Sequence, residues 1–148
     1  MAKSIKAQLK AIERKLNPII NDAMHNEMYE MLVEKGKKEV DETVYAAYTP
    51  SDSENAYERT YKLRDESWDK ETPNQGLLFR NIRRDSKTGN YIPKVIETGK
   101  GYSIMGNPPF PYEKPRPFMG NLKQWLRDEE QHVEVMKKTM EKAGFKVV

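Results

Sequence analysis

Two histidines, His25 and His132, are the natural starting points for chemistry in this chain of 148 residues. Each falls on a polar stretch with helical spacing, and neither H-x-x-x-H nor H-E-x-x-H occurs, so no metal-ligand pair forms around them. Both read as surface or packing residues. Carboxylates gather as Asp65, Glu66 and Asp69, and again as Asp128, Glu129 and Glu130. They are interleaved with Lys and Arg, which is the pattern of a solvated charged face. Gly99-Lys100-Gly101 invites a phosphate loop, but the pattern G-x-x-x-x-G-K-[ST] is absent and Tyr102 follows where a helix should start. A tight turn leaving a strand fits better. There is no cysteine, which removes disulfides, thiolate metal sites and thiol catalysis together and suits a reducing cytoplasm. The eight methionines, where they sit at helical spacing, suit adaptable contacts between subunits. The expectation is therefore no enzyme, no metal and no cofactor.

Charge offers more. The 26 basic and 23 acidic residues leave a net charge of only +3, too little to argue for nucleic acid from the total. Residues 77 to 102, however, carry Arg80, Arg83, Arg84, Lys87, Lys94 and Lys100 against Asp85 and Glu97, a local excess of four positive charges. With Phe79 and Tyr91 nearby, Arg80, Arg83, Arg84, Lys87 and Lys94 form a candidate channel-facing or DNA-facing basic surface. The alternative is a sheet edge guarded by charge. No RNP signature, helix-turn-helix pattern or zinc finger is visible.

These residues need elements to hold them. Ile5, Leu9, Ile12, Leu16, Ile19 and Ala23 are spaced by four and three, the stripe of an amphipathic helix that Ser4 can cap. Met24, Met28 and Met31 continue it, then Val40, Val44 and Ala47, giving a long helix over residues 1–48. Pro18 predicts a kink or short break at Asn17, and Gly36 a second weak point. Such a stripe is too long for one domain to bury and calls for a partner. Residues 49–76 read as an extended excursion anchored by Tyr57, Tyr61, Leu63 and Trp68. Two strands, Leu77 to Arg84 and Tyr91 to Thr98, are expected to form a hairpin within residues 77–104, with Pro93 forcing an edge or a bulge.

Five prolines between Gly106 and Pro117 hold residues 105–117 extended and display Phe110 and Tyr112. Within 118–148, Phe118, Leu122, Trp125 and Leu126 predict one helix. Asp128, three residues before Gln131, suggests a capping box for a second that carries Val133, Met136, Met140 and Ala143, with Gly144 as its stop. Pro117 can open the first of these helices while Phe118 and Met119 plug a pocket and Arg116 pairs with a carboxylate, either as a local core staple or between subunits. The expectation is one α+β domain: a long N-terminal helix, a small antiparallel sheet with a long excursion loop, and C-terminal helices. With 36% apolar residues and a mean hydropathy of −0.93, a large monomeric core is not expected. The N-terminus is basic without the apolar run of a signal peptide, and no stretch approaches a membrane span.

The order of three motifs adds a family resemblance. Tyr91-Ile92-Pro93-Lys94-Val95-Ile96-Glu97-Thr98-Gly99-Lys100-Gly101-Tyr102 is followed by Arg116-Pro117-Phe118-Met119, then by His132, Val133, Met136, Lys137, Met140 and Gly144 at fixed spacing. Upstream stand Tyr45, Tyr48 and Pro50, then Tyr57, Arg59, Thr60 and Leu63. Together these resemble the tail-component family (neck, tail completion) of long-tailed double-stranded DNA phages, over residues 45 to 148. The resemblance implies a structural virion protein at the head–tail interface, assembled in the host cytoplasm. It would form a homo-oligomeric ring, sixfold or twelvefold, between a connector or stopper and a tail terminator, through which genomic DNA passes without sequence recognition. The residues offered as subunit interface are Ile5, Leu9, Ile12, Leu16, Phe110, Tyr112, Arg116, Phe118 and Met119. A small basic nucleic-acid-binding regulator encoded by a phage is the competing reading.

Overall fold

The computed structural model describes residues 4–47, 60–100 and 114–148. The N-terminal helix runs without interruption from Ile5 to Tyr45, as α1 (Ile5–Ala23), a π-helical segment (Met24–Met28), α2 (Tyr29–Glu39) and a second π-helical segment (Val40–Tyr45). At about 1.5 Å per residue its length is about 60 Å. Ser4 caps it as expected, its hydroxyl accepting from the Ala7 amide at 3.3 Å. The break expected at Asn17 does not occur. Pro18 and Arg14 both lie on the exposed side of α1, so the carbonyl that loses its amide partner faces water and the helix continues.

Beyond the long helix follow α3 (Lys62–Asp65), β1 (Trp68–Glu71), β2 (Leu78–Asn81), α4 (Ile92–Thr98), α5 (Phe118–Glu129) and α6 (Gln131–Lys142). The architecture is α+β, with a two-stranded antiparallel sheet paired Trp68 to Asn81 and Glu71 to Leu78. The hairpin is therefore not the one the sequence suggests. Its first strand lies in the segment read as an excursion, and the expected strand Tyr91 to Thr98 is mostly helix α4. Pro93 explains the change: it has no amide for a ladder but fits the first turn of a helix, where the amide would be unpaired anyway. Gly99, at φ 66°, stops α4 in the left-handed conformation. Of the expected strand pairing only a single bridge, Arg84 to Tyr91, remains.

The end of the long helix, α3, α4 and the start of α5 meet in one small core. Val40 and Val44 come from the second π segment, Leu63 from α3, Ile96 from α4 and Phe118 from α5, with Tyr45, Trp68, Ile92 and Met119 packed around them. Trp68 organises the centre. Its ring stacks on Phe79 at 5.2 Å and meets Phe118 edge-on at 6.4 Å, while its indole N–H donates to the Arg64 carbonyl at 2.6 Å. Gly36 makes this possible, because a Cβ there would lie 2.6 Å from Trp68 Cη2. Asn81, fully buried, is satisfied: its amide donates to the Leu63 carbonyl at 2.8 Å and its oxygen accepts from the Arg83 amide at 3.1 Å.

The C-terminal helices run back along the long helix. Asn121 bonds Thr43, the Lys35 ammonium sits over Trp125, and Thr139 donates to Glu27, so the α5–α6 arm is antiparallel to its support. The capping box expected at Asp128 is not formed. Glu130 instead takes a left-handed φ of 48° and serves as the junction between α5 and α6, and Asp128 accepts from Gln124 in the preceding turn. Gly144 stops α6 at φ 90°, with the Phe145 amide returning to the Met140 carbonyl at 3.0 Å.

Candidate functional site

Among the described residues, no group of three or more His, Cys, Asp or Glu could hold a metal ion. His25 has a structural task. Its Nε2 lies 3.0 Å from the Gly76 carbonyl, and its own carbonyl accepts from Lys70 Nζ. It belongs to a row spaced by four residues along the long helix, Asn17, Asn21, His25 and Tyr29. Asn17 and Asn21 accept from the Gln75 side chain and backbone at 2.7 and 2.6 Å, and the Tyr29 hydroxyl bonds the Trp68 carbonyl at 3.4 Å. The β1–β2 hairpin is thereby laid along one helix face, and the ammonium of Lys70 rests 4.5 Å over the Tyr29 ring. Burial, with Asp69 nearby, pushes the Tyr29 phenol above its ordinary range.

Glu97 links two of the sequence motifs. Its carboxylate accepts from the backbone amides of Met119 and Gly120 at the start of α5, and the Arg116 amide donates to the Ile96 carbonyl at 2.9 Å. A carboxylate at a helix N-terminus satisfies amides left unpaired by the helix and sits favourably in its dipole. Burial nonetheless raises the Glu97 carboxyl above its ordinary range, opposed by those two amides. The Glu97-Thr98-Gly99 turn and the Arg116-Pro117-Phe118-Met119 junction thus form one joint.

Three of the residues offered for the subunit interface sit in that joint. Phe118 is fully buried at the core centre, Arg116 is buried, and Met119 is half-buried against the core. They act as an internal staple because the chain's own α4 and long helix fill the space around them. Phe110 and Tyr112 lie outside the described residues. Ile5, Leu9 and Ile12 are 76%, 56% and 50% exposed, and Leu16 is half-buried. The apolar stripe is thus presented on the first three turns and progressively covered beyond them.

The basic surface is also revised. Arg80 donates to Asp69 at 3.0 Å and pairs with Glu71 at 2.8 Å across the hairpin, and bonding to Asp69 raises its pKa further. It is neutralised as a cross-strand pair. Arg84 lies over Tyr91 at 5.6 Å and donates to the Gly89 carbonyl. Lys87 and Lys94 are exposed and Arg83 is half-buried; among the described residues neither these three nor Arg84 is in an ion pair, though the charge of Lys87 helps to lower the Asp85 carboxyl. The intervening Asp85 is turned inward on its own loop. It accepts from the Thr88 hydroxyl and amide, both at 2.7 Å, and from the Lys87 amide. Those bonds, that of the Thr88 side chain foremost, hold its carboxyl below the ordinary range.

The turn between α5 and α6 was not singled out by the sequence as a site. Asp128, Glu129, Glu130 and Glu134 are all exposed there, around Val133 at 48% exposure. The row Asn17, Asn21, His25 and Tyr29 was equally missed, although its four-residue spacing was visible.

Comparison with known proteins gives one family. The YomN family model matches residues 8–142. A relative from Bacillus subtilis strain 168, described as an SPbeta prophage-derived uncharacterized protein YomN, is 35% identical over 128 residues, covering 86% of each chain. No solved structure matches.

Proposed function

The chain belongs to the YomN family, and from that premise we propose that it is a structural protein of a tailed phage or prophage that acts at the head–tail interface. The prophage origin of the Bacillus relative supports the phage half of this reading. The motif order resembling tail-component proteins supports the other half, strengthened by the joint in which Glu97 caps the helix opened by Arg116 to Met119. The observation that carries most weight is the helix of about 60 Å whose first turns present Ile5, Leu9 and Ile12 to solvent. An exposed apolar stripe of this kind suits burial against another chain. In this reading the subunits form a ring in the neck, sixfold or twelvefold, in contact with a connector or stopper and a tail terminator, and it performs no catalysis. Arg83, Arg84, Lys87 and Lys94 face passing DNA or an acidic neighbour. Gradient-purified virions should contain the chain at six or twelve copies per particle by quantitative mass spectrometry, and virions lacking it would overturn the proposal.

The same four cations favour a second reading, a small nucleic-acid-binding regulator. It differs in requiring tight, steeply salt-dependent binding of DNA or RNA by the free subunit, whereas the neck reading requires no more than weak, nonspecific binding.

A further inference from the structure

Two exposed patches of this subunit are complementary to each other and cannot meet within it. The first is the start of α1, where Ile5, Leu9 and Ile12 are flanked by Lys6, Lys10, Arg14 and Lys15 against Glu13 alone, all exposed. The second is the α5–α6 knuckle, where exposed Val133 follows Asp128, Glu129 and Glu130 and precedes Glu134, with Arg127 before them and Lys137 and Lys138 one turn further along α6. Among the described residues none of these charged groups is in an ion pair. Within the subunit the knuckle is fixed between Trp125, which holds Lys35, and Thr139, which holds Glu27. Leu9 stands eighteen residues before Glu27 on the same continuous helix, a separation of about 27 Å at 1.5 Å per residue.

We propose that the first turns of α1 dock on the α5–α6 knuckle of a second copy of this chain, an inference that rests on the ring reading above and names its interface. Self-pairing of the basic helix ends would bring like charges together. Seating them on the knuckle places Ile5, Leu9 and Ile12 against Val133 while Lys6, Lys10, Arg14 and Lys15 meet four carboxylates. Charges arranged this way fix register and reject like-charged alternatives. Because the two patches differ, the contact is head-to-tail. An open assembly of any length leaves one helix end and one knuckle unused, so the contact propagates until rotation closes it into a ring.

The absence of cysteine makes a direct test possible. The full chain carrying both Leu9→Cys and Val133→Cys, oxidised at low salt, should give a ladder of covalent oligomers on non-reducing gels. Leu9→Cys alone and Val133→Cys alone should give at most dimers. Both positions are exposed, so circular dichroism should match the parent chain. Adding Lys6→Glu and Lys10→Glu should abolish the ladder, and further adding Glu129→Lys and Glu134→Lys should restore it. A double-cysteine chain that stays monomeric or stops at dimers overturns the proposal, as does a ladder indifferent to charge reversal. A charge-sensitive ladder from a chain missing from virions would uphold the contact while removing the neck reading.

Discussion

Gly36 shows how much one side chain decides in a core this small. Its sequence context suggests only a weak point in a helix, whereas its missing Cβ is the space into which Trp68 packs. Gly36→Ala should gain up to about 1 kcal/mol of helix propensity yet lose about 1–3 kcal/mol to overpacking, giving a net loss in urea unfolding. The loss should shrink when Trp68 is also replaced by alanine, since the clash then has no partner. Glu97 supplies a second residue-scale prediction. Glu97→Ala removes the acceptor for two α5 amides and should cost about 1 kcal/mol; Glu97→Gln keeps an acceptor and should cost less. The folded-state carboxyl is raised by burial, so its contribution is fullest below the unfolded pKa and is lost as pH rises through the raised value. The cost of Glu97→Gln relative to the parent chain should therefore shrink as pH rises from below the ordinary carboxylate range, as read by paired denaturant titrations. Phe118 was legible as a pocket-filling residue from its place after Pro117. Glu97 as its cap was not, because the two are distant in sequence and only the fold joins them.

At the scale of elements, period made the helices legible and pairing hid the sheet. Spacings of three and four over Ile5 to Val44 predict the long helix, and Phe118 to Leu126 and Val133 to Met140 predict α5 and α6 in place. Each repeats its signal over several turns. The strand Trp68 to Glu71 is only four residues long and half-exposed, so no alternation distinguishes it. It is specified by the partner strand, by the Arg80 pairs to Asp69 and Glu71, and by the polar row on the long helix. Tyr91 to Thr98 misleads because its β-branched residues suggest a strand while Pro93 and Gly99 set helix boundaries. The early turns of α1 carry the prediction proper to this scale. The core residues begin well beyond them, so removing residues 1 to 16 should leave a folded, soluble subunit that no longer assembles. Sedimentation would read the assembly and circular dichroism the fold. Cooperative loss of helical signal in that truncate would instead place the stripe in an intramolecular core.

For the whole molecule, the α+β class and the order of its parts were readable because each long element announces itself locally. Surface roles were less so. Burial turned Arg116 and Phe118 inward and pairing neutralised Arg80, and neither can be seen without the neighbours that folding supplies. What remains outside is a subunit with a basic, apolar helix end, a cationic loop and an acidic knuckle, properties suited to joining other subunits. The most direct measurement is to stop this gene with an amber mutation in a phage or inducible prophage that carries it and view the lysate by negative-stain electron microscopy. A neck role predicts filled heads and separate tails that fail to join; intact, normal virions would contradict it.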